Sequence, residues 1–414
     1  MEEGGCMKVG SLIKYYRTKQ GLTQSELVEG ICSVPHLSKI EHNEKEANDQ
    51  TIHLLLQRLG ADLTNVYEQN NTVKRLLDEW IECINYFQIE EAKEIDRKLD
   101  SLVDFIAYTP HLFLYELYKM RYLLFIKDTK KAIQHYKWLD KHKKNLNYQE
   151  LYLLHYYHAI CLLIQNKYRQ ANEVLEELVS ASRDGMSVSA DVYYHLALAK
   201  CHMEQHGHAI FYANEALNAF TAQYNIKRIM HTLVILGISY TDTGIYEVAA
   251  ECYKHLKRNA EILNESATLS IAYHNIGYLK QKKGELSEAR DYYYKAVNCE
   301  AENAQSSMVS LYALAETSYY LGEWEQAKEY LHHLKKKAQE TGSKIYQMLP
   351  NYYLYMIQGE EERAISYLEE YTLPYLYNGE SHYNDIRSVS KILADYYKKS
   401  GKFQKALQYI YTDY

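Results

Sequence analysis

Apolar residues recur three and four positions apart along almost the whole chain, and no run alternates at period two between turn signals. The pattern predicts an all-α protein. Near the start, Leu12, Ile13 and Tyr16 put an apolar stripe on a helix over about 10–19, which Gly21 closes as a C′ glycine. Thr23 followed by Glu26 has the spacing of a capping box, and Leu27 and Val28 give the short helix it starts an apolar face. Ser33 is placed to cap the next helix, with Pro35 in its first turn, where a missing N–H costs nothing. Leu37 and Ile40, three apart, turn inward and leave Val34, His36, Ser38, Lys39 and His42 on or near the outer side. Residues 51–60 form a fourth helix that stops at Gly60. Two short helices joined by a tight turn, the second with a polar outer face, are what a major-groove reader needs. The competing reading is a small helical bundle that binds no DNA.

From residue 73 onward a second pattern takes over. A turn residue, often Gly, is followed five positions later by Ala. It occurs at Gly244 and Ala249, Gly284 and Ala289, Gly322 and Ala327, Gly359 and Ala364, and Gly401 and Ala406. Weaker copies precede these: Phe87 and Ala92, Lys127 and Ala132, Asn166 and Ala171, Glu204 and Ala209. Nine copies at a period near 39 predict a solenoid of helical hairpins. The turn residue joins helix A to helix B. The Ala is small because the two helices cross closely there. The residue two after the turn (Tyr168, Tyr246, Leu286, Trp324, Phe403) is expected to pack under it.

Composition narrows the picture. The chain has 414 residues and a net charge of −7, with no basic tail and no apolar run of transmembrane length. Its N-terminus lacks the basic and apolar regions of a signal peptide, so the expected location is the cytoplasm, away from membranes. Seven scattered cysteines with no Cys-x-x-Cys are read as small buried hydrophobes; Cys6 and Cys32 fall in the N-terminal segment. Only 4 Pro and 17 Gly interrupt the helices. The 44 Tyr suit helices half-exposed on a curved surface, since the ring packs while the hydroxyl stays wet. Residues 1–69 hold seven Lys and Arg against ten Asp and Glu, a balance of −3. Most DNA affinity comes from phosphate contacts, so one such head should bind weakly and two should act together.

Residues 8–68 resemble the helix-turn-helix of phage-repressor-like (XRE/Cro-type) regulators, through Leu22-Thr23-Gln24, Glu26-Leu27, Leu37-Ser38-Lys39-Ile40-Glu41 and the closing Leu56…Leu59-Gly60. That resemblance implies that Gln24 clamps a backbone phosphate and that Ser33, Val34, His36 and Lys39 face the groove, with Glu41 structural. The later hairpins resemble tetratricopeptide (TPR) repeats. That resemblance implies a right-handed superhelix with helix A of each repeat on the concave side, where extended peptides bind. The expected division is a DNA-binding domain over 1–69 and a sensing and oligomerising domain over 70–414.

Fourteen residues before each Ala lies the middle of helix A. Asn275 stands out there, because a side-chain amide can both donate to and accept from a peptide backbone; the alternative is a hydrogen bond within the solenoid. Arg121 and Arg228 are candidates for a peptide carboxylate, and Tyr157, Tyr193, His195, Tyr312 and Asn351 for lining the groove, with inter-repeat packing as the competing role. No histidine group has a complete ligand set at metal spacing, and no Walker loop, GxGxxG or Gly-x-Ser-x-Gly is present. No metal, cofactor or enzymatic activity is expected.

A repressor-type head fused to about nine such repeats resembles the quorum-sensing peptide receptors of Gram-positive bacteria, the RNPP family, and most of all its NprR-like branch. The PlcR-like branch shares the head, including the turn Gly30-Ile31-Cys32-Ser33, but has fewer repeats. The resemblance implies a transcriptional regulator whose partners are double-stranded DNA and a short re-imported peptide. It implies a homodimer, or a tetramer with peptide, whose heads are repositioned on binding. It also implies an alternative role, the sequestering of a sporulation phosphorelay response regulator. The aromatic residues near the end (Tyr409, Tyr411, Tyr414) are candidates for packing in a partner.

Overall fold

The computed structural model describes residues 9–44, 48–61, 63–181, 188–299, 304–378 and 383–410. Cys6, Tyr411 and Tyr414 lie outside them. Among the described residues every regular element is helical. The chain divides into two compact units, Met1–Cys161 and Leu162–Tyr414.

The first unit begins with four helices: α1 (Val9–Lys19), α2 (Gln24–Val28), α3 (Val34–Glu41) and α4 (Asp49–Arg58). Their apolar faces meet in one core of Ile13, Leu27, Val28, Leu37, Ile40, Leu55, Leu56 and Leu59. Gly10 is required where α1 crosses the end of α3, since a Cβ there would lie 1.8 Å from the Ile40 carbonyl oxygen. The next helix, α5 (Leu63–Asn85), runs unbroken past residue 69 into the first hairpin. Leu12 and Tyr15 of α1 share a second core with Val66, Val73, Leu77 and the fully buried Trp80 of α5. The Trp80 indole N–H donates to the carbonyl of Ala92, the first of the repeat alanines, at 3.0 Å.

The repeats are then a matter of backbone register. All nine turn residues have a left-handed φ: Phe87 62°, Lys127 65°, Asn166 59°, Glu204 57°, and Gly244, Gly284, Gly322, Gly359 and Gly401 between 75° and 79°. Five residues after each one comes its Ala, and all nine are buried. The first four turns therefore adopt the same conformation as the last five although no glycine relieves the crowding of Cβ. The residue two beyond the turn starts helix B in repeats 3, 5, 6, 7 and 9, but its packing differs from expectation. Tyr168 stacks on His202 at 4.1 Å, whereas Trp324 and Phe403 are 57% and 63% exposed. The turn needs the backbone conformation and the Ala, not an apolar cover.

Two glycines set how closely helices A and B approach in the middle of the second unit. Gly237 lies on helix A of repeat 5 (Ile226–Asp242) and Gly277 on helix A of repeat 6 (Ser266–Lys282). A Cβ on Gly237 would stand 2.2 Å from the ring of Tyr253, and one on Gly277 2.8 Å from the ring of Tyr293. Both rings are buried, so neither has room to swing away. Gly237→Ala is expected to cost about 1–3 kcal/mol by overpacking. The check is the urea midpoint; an unchanged midpoint would mean that Tyr253 moves aside freely.

Candidate DNA-reading head and ligand groove

The reading helix α3 is built by local signals. The Thr23 hydroxyl accepts from the Glu26 amide at 3.2 Å, while the Thr23 amide donates to the Glu26 carboxylate at 2.7 Å. That closes the capping box of α2. The hydrogen bond from the Thr23 backbone, more than any other influence, holds the Glu26 carboxyl below its ordinary range. Ser33 caps α3 by accepting from the His36 amide at 3.3 Å, with Pro35 in the first turn. Ser33 and Lys39 are exposed and His36 is partly exposed. Val34 is different: it is half-buried and packs against the core of the head.

Behind α3 lies a buried ion pair. The Glu41 carboxylate has no exposed surface. It accepts from Arg17 twice, Nε to Oε1 at 2.6 Å and Nη2 to Oε2 at 3.0 Å, and from the Gln24 amide at 2.8 Å. Gln24, at the start of α2, is thus fixed through the same carboxylate that ties α3 to α1. Arg17 also donates to the Leu22 carbonyl at 2.9 Å, which pins the turn between the helices.

The groove candidates take three kinds of place. His195 and Arg228 come together at Asp191, although they belong to repeats 4 and 5. The His195 ring Nδ1 lies 2.7 Å from the Asp191 carbonyl, and Arg228 pairs with the Asp191 carboxylate at 2.5 Å. The Arg228 guanidinium also covers the ring of Tyr194 at 4.9 Å. Asn275 is buried and its amide donates to the Ile271 carbonyl one turn back, at 2.9 Å. Asn351 turns to helix B residues: it accepts from Lys335 at 2.8 Å and donates to Tyr367 at 2.7 Å. Arg121 and Tyr157, in the first unit, are buried. Tyr193 stacks on Tyr212 at 6.1 Å.

Tyr312, on helix A of repeat 7 (Ala304–Tyr320), sits beside a group that the alignment on alanines passes over. Glu316 lies one turn further along the same face. It accepts hydrogen bonds from Tyr353 and Gln281, and burial raises its carboxyl above the ordinary range. The sequence carried a signal for it: Glu316 is the single charged residue of an otherwise neutral seventeen-residue helix, flanked at four-residue spacing by Tyr312 and Tyr320. Two histidines of neighbouring A helices are held neutral. Burial, reinforced by Arg228 and Lys227, pulls His231 down to about 4, and burial alone does the same to His274.

Comparison with known proteins follows the same division. Residues 13–65 match the Helix-turn-helix family. Over 94% of this chain and 98% of its own length, the transcriptional activator NprA of Geobacillus stearothermophilus is 28% identical. Regulatory protein RapD of Bacillus subtilis is 23% identical over 81% of this chain and 96% of its own. The quorum sensor NprR from B. thuringiensis superposes in its apo form with a TM-score of 0.68 at 21% identity, covering 82% of this chain and 97% of that one. Its complex with the cognate peptide NprX gives 0.66 at 20% identity, covering 82% of this chain and 99% of that one.

A helix-turn-helix head is followed along the chain by a solenoid of TPR-like hairpins. Over nearly its whole length the chain is similar in sequence to the regulator NprA, and its fold is similar to that of NprR.

Proposed function

We propose that this protein is a peptide-responsive, DNA-binding transcriptional regulator of the cytoplasm and has no catalytic activity. Residues 1–69 read DNA and residues 70–414 sense a short peptide and pair the subunits. The observation that carries this reading is the union, in one chain, of two head helices, α2 and α3, each capped at its start, and nine hairpins closed in one register. NprA is named a transcriptional activator, and NprR a quorum sensor seen with its peptide; both namings support the same assignment here.

In the head, Gln24 clamps a phosphate while Ser33, Val34, His36 and Lys39 approach the base edges. In the sensor, Asn275, Arg121, Tyr157, His195, Arg228, Tyr312 and Asn351 contact or position the peptide, Asn275 through the amide atoms not engaged by Ile271. The mechanism is a population shift. A peptide that bridges several A helices favours one spacing of the repeats, and does so only as far as it binds that state more tightly. The spacing sets the distance between the two heads of a homodimer, or of a peptide-bound tetramer, and that distance must match the half-sites.

The test uses duplexes from the DNA upstream of the gene. Gln24→Ala with Lys39→Ala is expected to lower affinity about tenfold or more. Retention of wild-type binding would remove the head from its assigned role. A second reading has one observation in its favour, the balance of −3 over residues 1–69. In it the protein sequesters a phosphorelay response regulator and DNA binding is secondary. A gel shift across a salt series separates the two, since specific binding that survives physiological salt leaves no room for the second.

A further inference from the structure

Glu316 is enclosed and unneutralised. Its hydrogen-bond partners come from helix A on either side: Gln281 at the end of helix A of repeat 6, and Tyr353 on helix A of repeat 8 (Lys344–Ile357). Neither partner belongs to a helix B, although Tyr293, on helix B of repeat 6 (Leu286–Asn298), donates to Gln281 Oε1 at 2.7 Å. Protein surrounds it closely, yet part of its surface still meets solvent. A recess has that combination; a packed core does not.

Among the described residues no positive charge answers it. Both partners are neutral, and no described lysine or arginine acts on the carboxylate. The charges nearby have the same sign. Asp385, on helix A of repeat 9 (Tyr383–Lys399), acts on Tyr312 and Tyr346, and Asp395 of that helix acts on Tyr320. His274, on helix A of repeat 6, is kept neutral by burial. An enclosed carboxylate without a counter-ion is unfavourable, and the penalty is relieved when it takes up a proton or when a cation joins it. The walls suit such a cation, because the rings of Tyr312 and Tyr320, neither fully buried, stand near the carboxylate, and ring faces attract ammonium and guanidinium groups.

We propose that Glu316, framed by Gln281, Tyr312, Tyr320 and Tyr353, receives a cationic group of the peptide: its N-terminal ammonium or a lysine or arginine side chain. This assignment rests on the reading of the solenoid as a peptide sensor. It places a carboxylate acceptor for the peptide in repeat 7.

The full-length protein is titrated, by fluorescence polarisation, with heptapeptide mixtures labelled at the C-terminus. In each mixture one position is fixed as Lys, Gln or Asp, and every mixture is made with a free and with an acetylated N-terminus. Wild type is expected to prefer by at least tenfold either Lys at one position or a free N-terminus; which of the two it prefers identifies the source of the cation. Glu316→Gln is expected to abolish the preference while still binding neutral mixtures. Binding by wild type with no preference for a cation, or the same preference in Glu316→Gln, overturns the assignment and leaves the peptide reading intact. If no mixture binds wild type, the peptide reading falls and takes this assignment with it.

A melting curve shows whether Glu316→Gln folds. Should it not fold, wild type decides the matter by its pH profile. Affinity for the preferred cationic mixture must fall as acid protonates the carboxyl, over a range above that of an ordinary glutamate, while affinity for neutral mixtures stays level. Parallel profiles overturn the proposal.

Discussion

Acidifying the protein from pH 7 to pH 4 is expected to cost it several kcal/mol of stability, with two histidines as principal contributors. His231 and His274 are held at about 4 in the folded state by burial. In the unfolded chain they return to about 6.5. The folded pKa is the lower one, so as pH falls below about 6.5 the unfolded state takes up protons that the folded state refuses. Their favourable contribution is complete above about 6.5 and is lost as pH falls towards 4. Each histidine then costs about 1.4 kcal/mol per pH unit across that window, or roughly 3 kcal/mol at its lower end. The measurement is the urea midpoint of the full chain at intervals between pH 7.5 and 4.5. His274→Asn should flatten the acid slope by its own share. A variant whose midpoints run parallel to wild type would show that this imidazole is not what the acid attacks.

The second large effect is at Glu41. Glu41→Ala is expected to destabilise the head by about 3–5 kcal/mol, because it strands the largely buried Arg17 guanidinium without a counter-charge. It also releases Gln24, whose amide the same carboxylate holds. Specific DNA binding should disappear with the folded head, while peptide binding to the repeats continues. Limited proteolysis within residues 9–61 and a duplex titration read the two losses. The paired change Arg17→Met with Glu41→Leu separates causes. Removing both charges should restore most of the stability, since apolar replacement of a buried pair is commonly neutral or better. If the double variant is as unstable as Glu41→Ala, the loss is one of packing and not of an orphaned charge.

Much of this protein is legible before any coordinates. Thr23 with Glu26, and Ser33 with Pro35, are local signals that act within four residues, so the helices of the head start where the sequence says they do. The repeats are legible for a similar reason. Turn and Ala stand five apart, and the backbone obeys that spacing even at Phe87 and Lys127, where the residue itself argues against a left-handed turn. The groove is harder to read. Periodicity tells which face of helix A meets helix B, but the rest of the helix is shared between the next repeat and the open side. Which residue gets which depends on the stacking of repeats, a relation between residues about forty positions apart. Asn351 illustrates one outcome, with polar partners on two helices B. Glu316 illustrates the other: an alignment on the alanines selects Ala313, three residues short of it. Trp324 and Phe403 mark a third limit, since an apolar residue next to a turn is buried only if something lies above it.

Seven of the nine left-handed turns lie in the second unit and bear on how it can deform. Each hairpin is locked at its bend by a backbone already in a narrow well, and at its crossing by an Ala with no room beside it. In repeats 5 and 6 a glycine seated against a tyrosine ring tightens the crossing further. Strain applied to such an array has few soft places inside a hairpin. It collects at the seams between hairpins, where contacts are side chain on side chain. The solenoid therefore behaves as stiff plates separated by compliant gaskets, and a small tilt at each seam adds along the stack. A ligand that grips only three or four neighbouring plates can in this way displace elements far beyond its own length.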